Sequence, residues 1–387
     1  MLELDCGLEF DPSRDEEFFL ALPPRPAVCL IEPKESSAEP FFIRTQDLRR
    51  RLQRLLGPAD PSSKRLNLRD FAKGLRYRLT PTAFEQNLVY YQQARQLFPN
   101  RYKKMLRLRP PAALKISLRN AYPRCYATRR IPIDTNGEPS GGVYYGPFAS
   151  RKSAEAFAEG VLDLFKVRRC QIKIRRDPTF PGCIYSEMKM CLAPCFAGCS
   201  KEEYDVEVGR LVSFLQTGGS SLRDELETDR NRASEDLDFE KAALLHKKVD
   251  KLDDALRGQA ELPRRLQDLN AVIFQRGGED QSISVYEVRA GRITDPFLLS
   301  FATLAGEPRS AEQLLRQQLE GQRETSPADL SEHLWLLARW FYSNPREGEI
   351  FFKEKAWPYR RMMRACARLL APPSPLVDPP AQSTDQG

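Results

Sequence analysis

Cys183-Ile184-Tyr185-Ser186-Glu187-Met188-Lys189-Met190-Cys191-Leu192-Ala193-Pro194-Cys195 is the stretch on which the reading of this chain turns. Cys170 precedes it, so that four thiols follow one another with twelve, seven and three residues between them. One tight Cys-x-x-x-Cys pair with two more distant members can surround a single metal centre. A short interval presents side chains from one turn, and a long one lets the chain loop back. Spacing alone leaves iron–sulfur and zinc both open. Cys199 repeats the three-residue interval and reads as a bystander or a reserve ligand. Cys6, Cys29, Cys125 and Cys366 are isolated, and packing as small hydrophobes accounts for them.

Outward from that stretch, composition sets the frame. The chain has 387 residues, more than one core usually supports (~250–300 residues), which predicts two to four domains. Apolar residues make up 41%, enough for packed cores rather than disorder. No apolar run approaches the roughly 20 residues that cross a bilayer, and Met1-Leu2-Glu3-Leu4-Asp5 lacks the basic start of a signal peptide. The expectation is therefore a cytoplasmic protein with no membrane partner. Disulfides are rare in that compartment, so clustered cysteines read as ligands. The net charge of +7 is carried partly by arginine runs such as Arg49-Arg50-Arg51, Arg129-Arg130 and Arg168-Arg169. Guanidinium forks match phosphate oxygens, and a basic surface of this kind is compatible with nucleic acid.

Hydrophobic patterning predicts strands at 26–31 and 41–43, then a helix from 45 or 47 to 56 with Leu48, Leu52, Leu55 and Leu56 on one side, stopped by Gly57-Pro58. A second helix is expected over 81–97. Residues 113–145 read as β, with a turn at Asn136-Gly137, and 154–165 as an amphipathic helix. Residues 201–257 read as an αα-hairpin turning at Asp236-Leu237-Asp238. Its predicted apolar stripe is Phe239, Ala242, His246, Val249, Leu252 and Leu256. Residues 271–301 read as a β-meander, followed by helices at 310–319, 331–342 and 359–370 and a disordered tail after Pro372.

The cysteine stretch resembles the cysteine segment of UvrC proteins, and Tyr144-Tyr145-Gly146-Pro147-Phe148-Ala149-Ser150 is similar to the segment that precedes it there. The resemblance implies that Cys170, Cys183, Cys191 and Cys195 hold a 4Fe–4S cluster, with zinc as the alternative. Leu237-Asp238-Phe239-Glu240-Lys241-Ala242-Ala243-Leu244-Leu245 resembles the UVR motif shared by UvrB and UvrC. That resemblance implies a UvrB-like partner meeting Phe239, Ala242, Ala243, His246 and Val249.

The first hundred residues are similar to the GIY-YIG nuclease module of the same family, with departures. Cys29 and Phe41 stand where the family has tyrosines, and Tyr90 stands where it has a metal-binding glutamate. Only Arg51 matches an active-site position. Glu85 is the nearest carboxylate, but five residues of helix is about 140° of rotation, so it should point away from Tyr90. No magnesium is expected there, since magnesium prefers hard, charged oxygen ligands. Arg44, Arg49, Arg50, Arg51, Arg129 and Arg130 are the expected DNA contacts. Residues 271–301 resemble the β-rich segment that follows the UVR hairpin in UvrC. No counterpart of its RNase H-like or helix-hairpin-helix parts is recognised.

The expectation is thus a multi-domain α+β protein: a degenerate GIY-YIG-like domain over 1–105, a cysteine-rich iron–sulfur module over 106–205, a UVR helical hairpin over 206–260, a C-terminal α+β domain over 261–372 and a tail over 373–387. Its expected role is nucleotide excision repair, binding DNA and UvrB without cutting. An active GIY-YIG single-incision endonuclease and a metal-stabilised interaction scaffold are the alternatives.

Overall fold

The structure is a computed structural model describing residues 2–58, 62, 64–302, 310–321 and 330–371; the expected tail lies outside the described residues. Among the described residues the chain is mixed α+β and builds three antiparallel sheets.

The first sheet orders its strands Cys6–Glu9, Ala72–Leu79, Ala27–Pro33 and Phe41–Thr45. Alternation along Ala27–Pro33 sends Cys29 and Ile31 to one face, against helices Asp15–Ala21 and Leu48–Leu56. Val28 and Leu30 go to the other face, against helix Ala83–Leu97. Helix Leu48–Leu56 buries the four leucines predicted for it. Its start is capped by the Asp47 carboxylate, which accepts from the Arg50 N–H. At its end Gly57 approaches the Gln53 carbonyl so closely that a Cβ would lie 2.5 Å from that oxygen.

Helix Ala83–Leu97 sits between two sheets. Phe84, Leu88, Tyr90, Tyr91 and Ala94 are buried on several sides of it, and so are the polar Glu85, Gln86 and Gln93. Beyond it lies the sheet of the C-terminal part, formed by Ala271–Arg276, Ser282–Arg289, Arg292–Ile293, Phe297–Ser300 and Glu349–Phe352. Leu330–Phe341 packs on the same side as Ala83–Leu97, while Ala311–Glu320 and Tyr359–Leu370 cover the opposite face. One hydrophobic core therefore joins Leu2, Val28, Leu30 and Phe42 to Ile273, Tyr286 and Leu337.

The third sheet, Cys125–Thr128, Ala112–Ile116, Val143–Phe148 and Arg264–Arg265, packs with helix Arg151–Leu162. This helix starts three residues earlier than expected, because Ser150 and Ser153 form a reciprocal cap. The region read as one hairpin is three helices, Lys201–Gln216, Ser220–Glu235 and Phe239–Leu256. The first break falls at Gly218-Gly219, both at positive φ, and the turn at Leu237 is also left-handed, φ 58°. Helix Lys201–Gln216 runs across the boundary drawn at 205, and the hairpin shares its core with the cysteine-rich part: Leu211, Leu226, Leu245, Val249 and Leu252 meet Val161 and Leu162.

The hairpin stripe needs correction. The inward row is Ala242, Leu245, Val249, Leu252 and Leu256, with Leu245 in place of His246 and Phe239 left exposed. Steps of three, four, three and four hold one helix face inward; His246 falls one residue off it and is exposed.

Candidate metal centre and nucleic-acid interface

After Leu162 the chain leaves its helix and enters an irregular loop fastened at two buried side chains. Tyr204, fully buried, donates its hydroxyl to the Pro123 carbonyl at 2.7 Å and accepts from the Arg168 N–H at 3.1 Å. The Arg168 guanidinium donates to the carbonyls of Tyr122 (2.8 Å), Cys170 (3.2 Å) and Ile172 (2.9 Å), and lies 3.8 Å from the Cys170 sulfur. Glu207 holds the start of the same segment by accepting from the Lys166 N–H, and the Leu192 N–H ties the loop's far end to it by donating to the Lys166 carbonyl.

Each remaining cysteine sits at a bend. Cys183 caps the short helix Ile184–Glu187, with its N–H donating to the Ser186 hydroxyl. The Cys191 sulfur accepts from the Ala193 N–H at 3.3 Å. Cys195 lies in the turn Pro194–Phe196, flanked by Ala193 and Ala197 at φ 55° and 63°. Left-handed backbone is disfavoured for residues with a Cβ, and its recurrence here fits a loop shaped around its thiols. Burial pushes the Cys191 thiol up to about 11, opposed by the Ala193 N–H and reinforced by Cys170, Cys195 and Cys183. Burial likewise raises Cys195, with Cys183 and Cys170 adding to it.

The four predicted ligands thus share one electrostatic neighbourhood. Among the described residues, however, no group of three or more His, Cys, Asp or Glu side chains is drawn together tightly enough to hold a metal ion. Cys199 is buried in the hydrophobic core with Tyr204 and Val208 and serves there as a small apolar side chain. Cys29, Cys125 and Cys366 are buried too, each thiol pushed up to about 12, chiefly by burial.

The residues at the degenerate nuclease positions do not converge. Cys29 and Phe41 face the helices on one side of the first sheet. Tyr90 is on the other side, stacked on Phe42 at 4.6 Å with the Arg44 guanidinium 5.3 Å from its ring centre. Glu85 does turn away from Tyr90, as the helical geometry requires. Its carboxylate accepts from the Tyr286 hydroxyl at 2.8 Å and lies 3.6 Å from the Arg78 Nε. Burial raises its carboxyl above the usual range, against the pull of Tyr286 and Arg78.

The arginines divide as well. Arg44, Arg50, Arg51 and Arg54 line a shallow hollow of about 330 Å³ with Thr45, Gln46 and Asp47, whose carboxylate is engaged as the helix cap. No carboxylate pairs with Arg50, Arg51 or Arg54 among the described residues. Arg49 belongs elsewhere: its guanidinium donates to the carbonyls of Leu22 (2.7 Å) and Leu20 (3.1 Å), clipping the end of Asp15–Ala21. Arg129 and Arg130 are exposed beyond strand Cys125–Thr128 of the third sheet.

On the hairpin, Phe239, Ala243 and His246 are exposed, whereas Ala242 and Val249 belong to the inward row. The turn leaves Leu237, Phe239 and Leu244 at 72%, 66% and 62% exposure. Sequence reasoning missed Arg168, read as part of a surface run, and Tyr204, whose partner lies 81 residues away; no local pattern marks either. No described helix is long and apolar enough to cross a membrane.

Residues 112–214, which hold three strands of the third sheet, the cysteine loop and most of helix Lys201–Gln216, match the family described as the UvrC/Cho excinuclease middle domain. Over this stretch the chain is similar to UvrC-family proteins. It is 31% identical over 182 residues to UvrABC system protein C of Ruminiclostridium cellulolyticum, covering 46% of this chain and 28% of that one. It is 25% identical over 293 residues to the Clostridium tetani protein of the same name, covering 73% and 45%. The Methanosphaera stadtmanae protein is 30% identical over 171 residues, covering 44% and 27%. The chain spans less than half the length of these UvrC relatives. No solved structure matches it.

Proposed function

We propose that this UvrC-like chain acts in nucleotide excision repair by binding DNA and a UvrB-type partner, and that its N-terminal module does not cut DNA. The observation carrying this reading is the hairpin. Its inward row is satisfied by the chain's own core, and its turn still presents Leu237, Phe239 and Leu244 to solvent. An apolar cluster left exposed on a folded hairpin marks a contact surface.

Phe239→Ala is expected to weaken binding to a UvrB-type hairpin by more than about 2 kcal/mol, roughly thirtyfold. Because Phe239 is exposed, thermal melts of the variant alone should overlay the parent. Calorimetric titration checks the first statement. An early melt in the absence of partner would place Phe239 in the chain's own packing instead.

The non-cutting reading is supported by the dispersal of the nuclease positions over two faces of the sheet. Metal-assisted phosphodiester cleavage needs a cation held beside the reacting groups. Cys29 is enclosed by apolar side chains, Tyr90 is stacked on Phe42, and Glu85 is engaged by Tyr286. Arg51, in the arginine hollow, is left to bind phosphate. No incision of damaged or undamaged duplex is expected with magnesium or manganese and the UvrB partner. Cutting that disappears in Arg51→Ala would establish the endonuclease alternative.

The cysteine loop suits an iron–sulfur cluster in its donor chemistry. Four thiols lie along one irregular loop, an N–H already points at the Cys191 sulfur, and the Arg168 cation beside Cys170 offsets negative charge. Cys170, Cys183, Cys191 and Cys195 would hold the cluster, which would tie four points of the loop together and supply a redox-active centre. Zinc remains the alternative occupant of an all-thiolate set.

A further inference from the structure

A groove of about 580 Å³ opens between the cysteine loop and the helical hairpin, on residues that neither the nuclease nor the partner surface uses. Its acidic members are already engaged. Asp163 pairs with Arg169, and Glu207 accepts from the Lys166 N–H and from Arg210, which also reaches Glu225. Four exposed lysines are left over: Lys166 beyond helix Arg151–Leu162, Lys189 in the cysteine loop, and Lys248 and Lys251 on Phe239–Leu256. None forms an ion pair among the described residues. Between them the wall is apolar, with Met188 and Met190 partly or largely open to solvent.

Four like charges brought from three separate segments into one concavity repel one another unless a polyanion fills it. A single carboxylate would satisfy one of them, whereas a nucleic-acid strand brings a phosphate every ~3.4 Å of axis. Lys248 and Lys251 are separated along their helix by about 4.5 Å, a comparable step. The groove is too small to seat a duplex, and its methionine and leucine wall offers an apolar surface for unstacked bases. Lysine, a point charge on a flexible stem, follows a backbone rather than reading one fixed geometry. We propose that this groove binds a single strand of nucleic acid, phosphates on the four lysines and bases against the apolar wall. The inference rests on the DNA-binding reading above and adds a second, separate site to it.

The test is fluorescence anisotropy of the full chain with a labelled twelve-nucleotide oligo-dT from 50 to 300 mM KCl. Replacing all four lysines (Lys166→Gln, Lys189→Gln, Lys248→Gln, Lys251→Gln) is expected to weaken binding and to lower the slope of log K against log salt by about three, at roughly 0.7 per phosphate contact. Lys248→Gln with Lys251→Gln should remove about half of that. Circular dichroism should be unchanged in both, since every substituted side chain is exposed. An unchanged slope with parental affinity in both variants overturns the groove while leaving DNA binding through the arginine hollow intact. That hollow is read separately by Arg50→Gln with Arg54→Gln. A parent chain that binds no DNA at all defeats both readings. Variants that lose affinity for a polyglutamate probe but not for the oligonucleotide would assign the groove to an acidic polypeptide and overturn the proposal.

Discussion

Replacing Glu332 with alanine is expected to remove about 3–5 kcal/mol of stability, seen as a lower urea midpoint and an earlier thermal melt. The Glu332 carboxylate is nearly inaccessible. It accepts from the Tyr91 hydroxyl at 2.6 Å, from the Tyr102 hydroxyl at 2.7 Å and from Lys103 Nζ at 2.9 Å. Tyr91 and Tyr102 belong to the N-terminal part and Glu332 to helix Leu330–Phe341, so these bonds cross the central core. Alanine would leave two buried hydroxyls without their acceptor, each worth about 1–3 kcal/mol. The Lys103 ammonium is largely exposed and adds little. Glu332→Gln keeps an acceptor for a hydroxyl and should lose less than Glu332→Ala. A loss under about 1 kcal/mol in the alanine variant would mean that apolar packing alone joins the two parts.

Cys191→Ala should remove the metal and the order of the cysteine loop together. Binding at structural metal sites is coupled to folding on a scale of about 10 kcal/mol. Anaerobically purified parent protein is expected to be brown, with iron and sulfide in equal amounts. The variant should be colourless and open to proteolysis between Cys170 and Cys195, while its hydrophobic cores persist. Cys199→Ala is the matched control, because that side chain lies in the apolar core and should affect packing without affecting metal content. A colourless, zinc-loaded and fully folded parent would replace the cluster with zinc.

Much of the local structure was legible because it follows from periodicity. Leu48, Leu52, Leu55 and Leu56 face inward at helical spacing, and the strands at Ala27–Pro33 and Ala271–Arg276 follow their apolar runs. Periodicity reports one buried face, however, and helix Ala83–Leu97 has two. Its Glu85, Gln86 and Gln93 look solvated in sequence, yet find partners in Tyr286, in the carbonyls of Ala27 and Thr45, and in the Leu2 carbonyl. The hairpin stripe departs from its expected course at His246 because histidine and leucine both fit an approximate three-and-four rhythm, and at Phe239, which is exposed at the turn. Only the second packed surface distinguishes Leu245 from His246. Arg49 was indistinguishable from Arg50 and Arg51 until the carbonyls of Leu20 and Leu22 came within its reach.

The helix that lies between two sheets imposes an order of events during synthesis. Ala83–Leu97 leaves the ribosome with the first sheet already available to cover one side. The residues that cover its other side, from Ile273 to Leu337, come much later in the chain. At about 5–20 residues per second the uncovered side waits on the order of ten to fifty seconds. Through that interval Phe84 and Leu88 stay open to solvent or to chaperones. Nascent chains halted before residue 271 should therefore be captured by hydrophobic holdases, and chains allowed to run through residue 352 should be released.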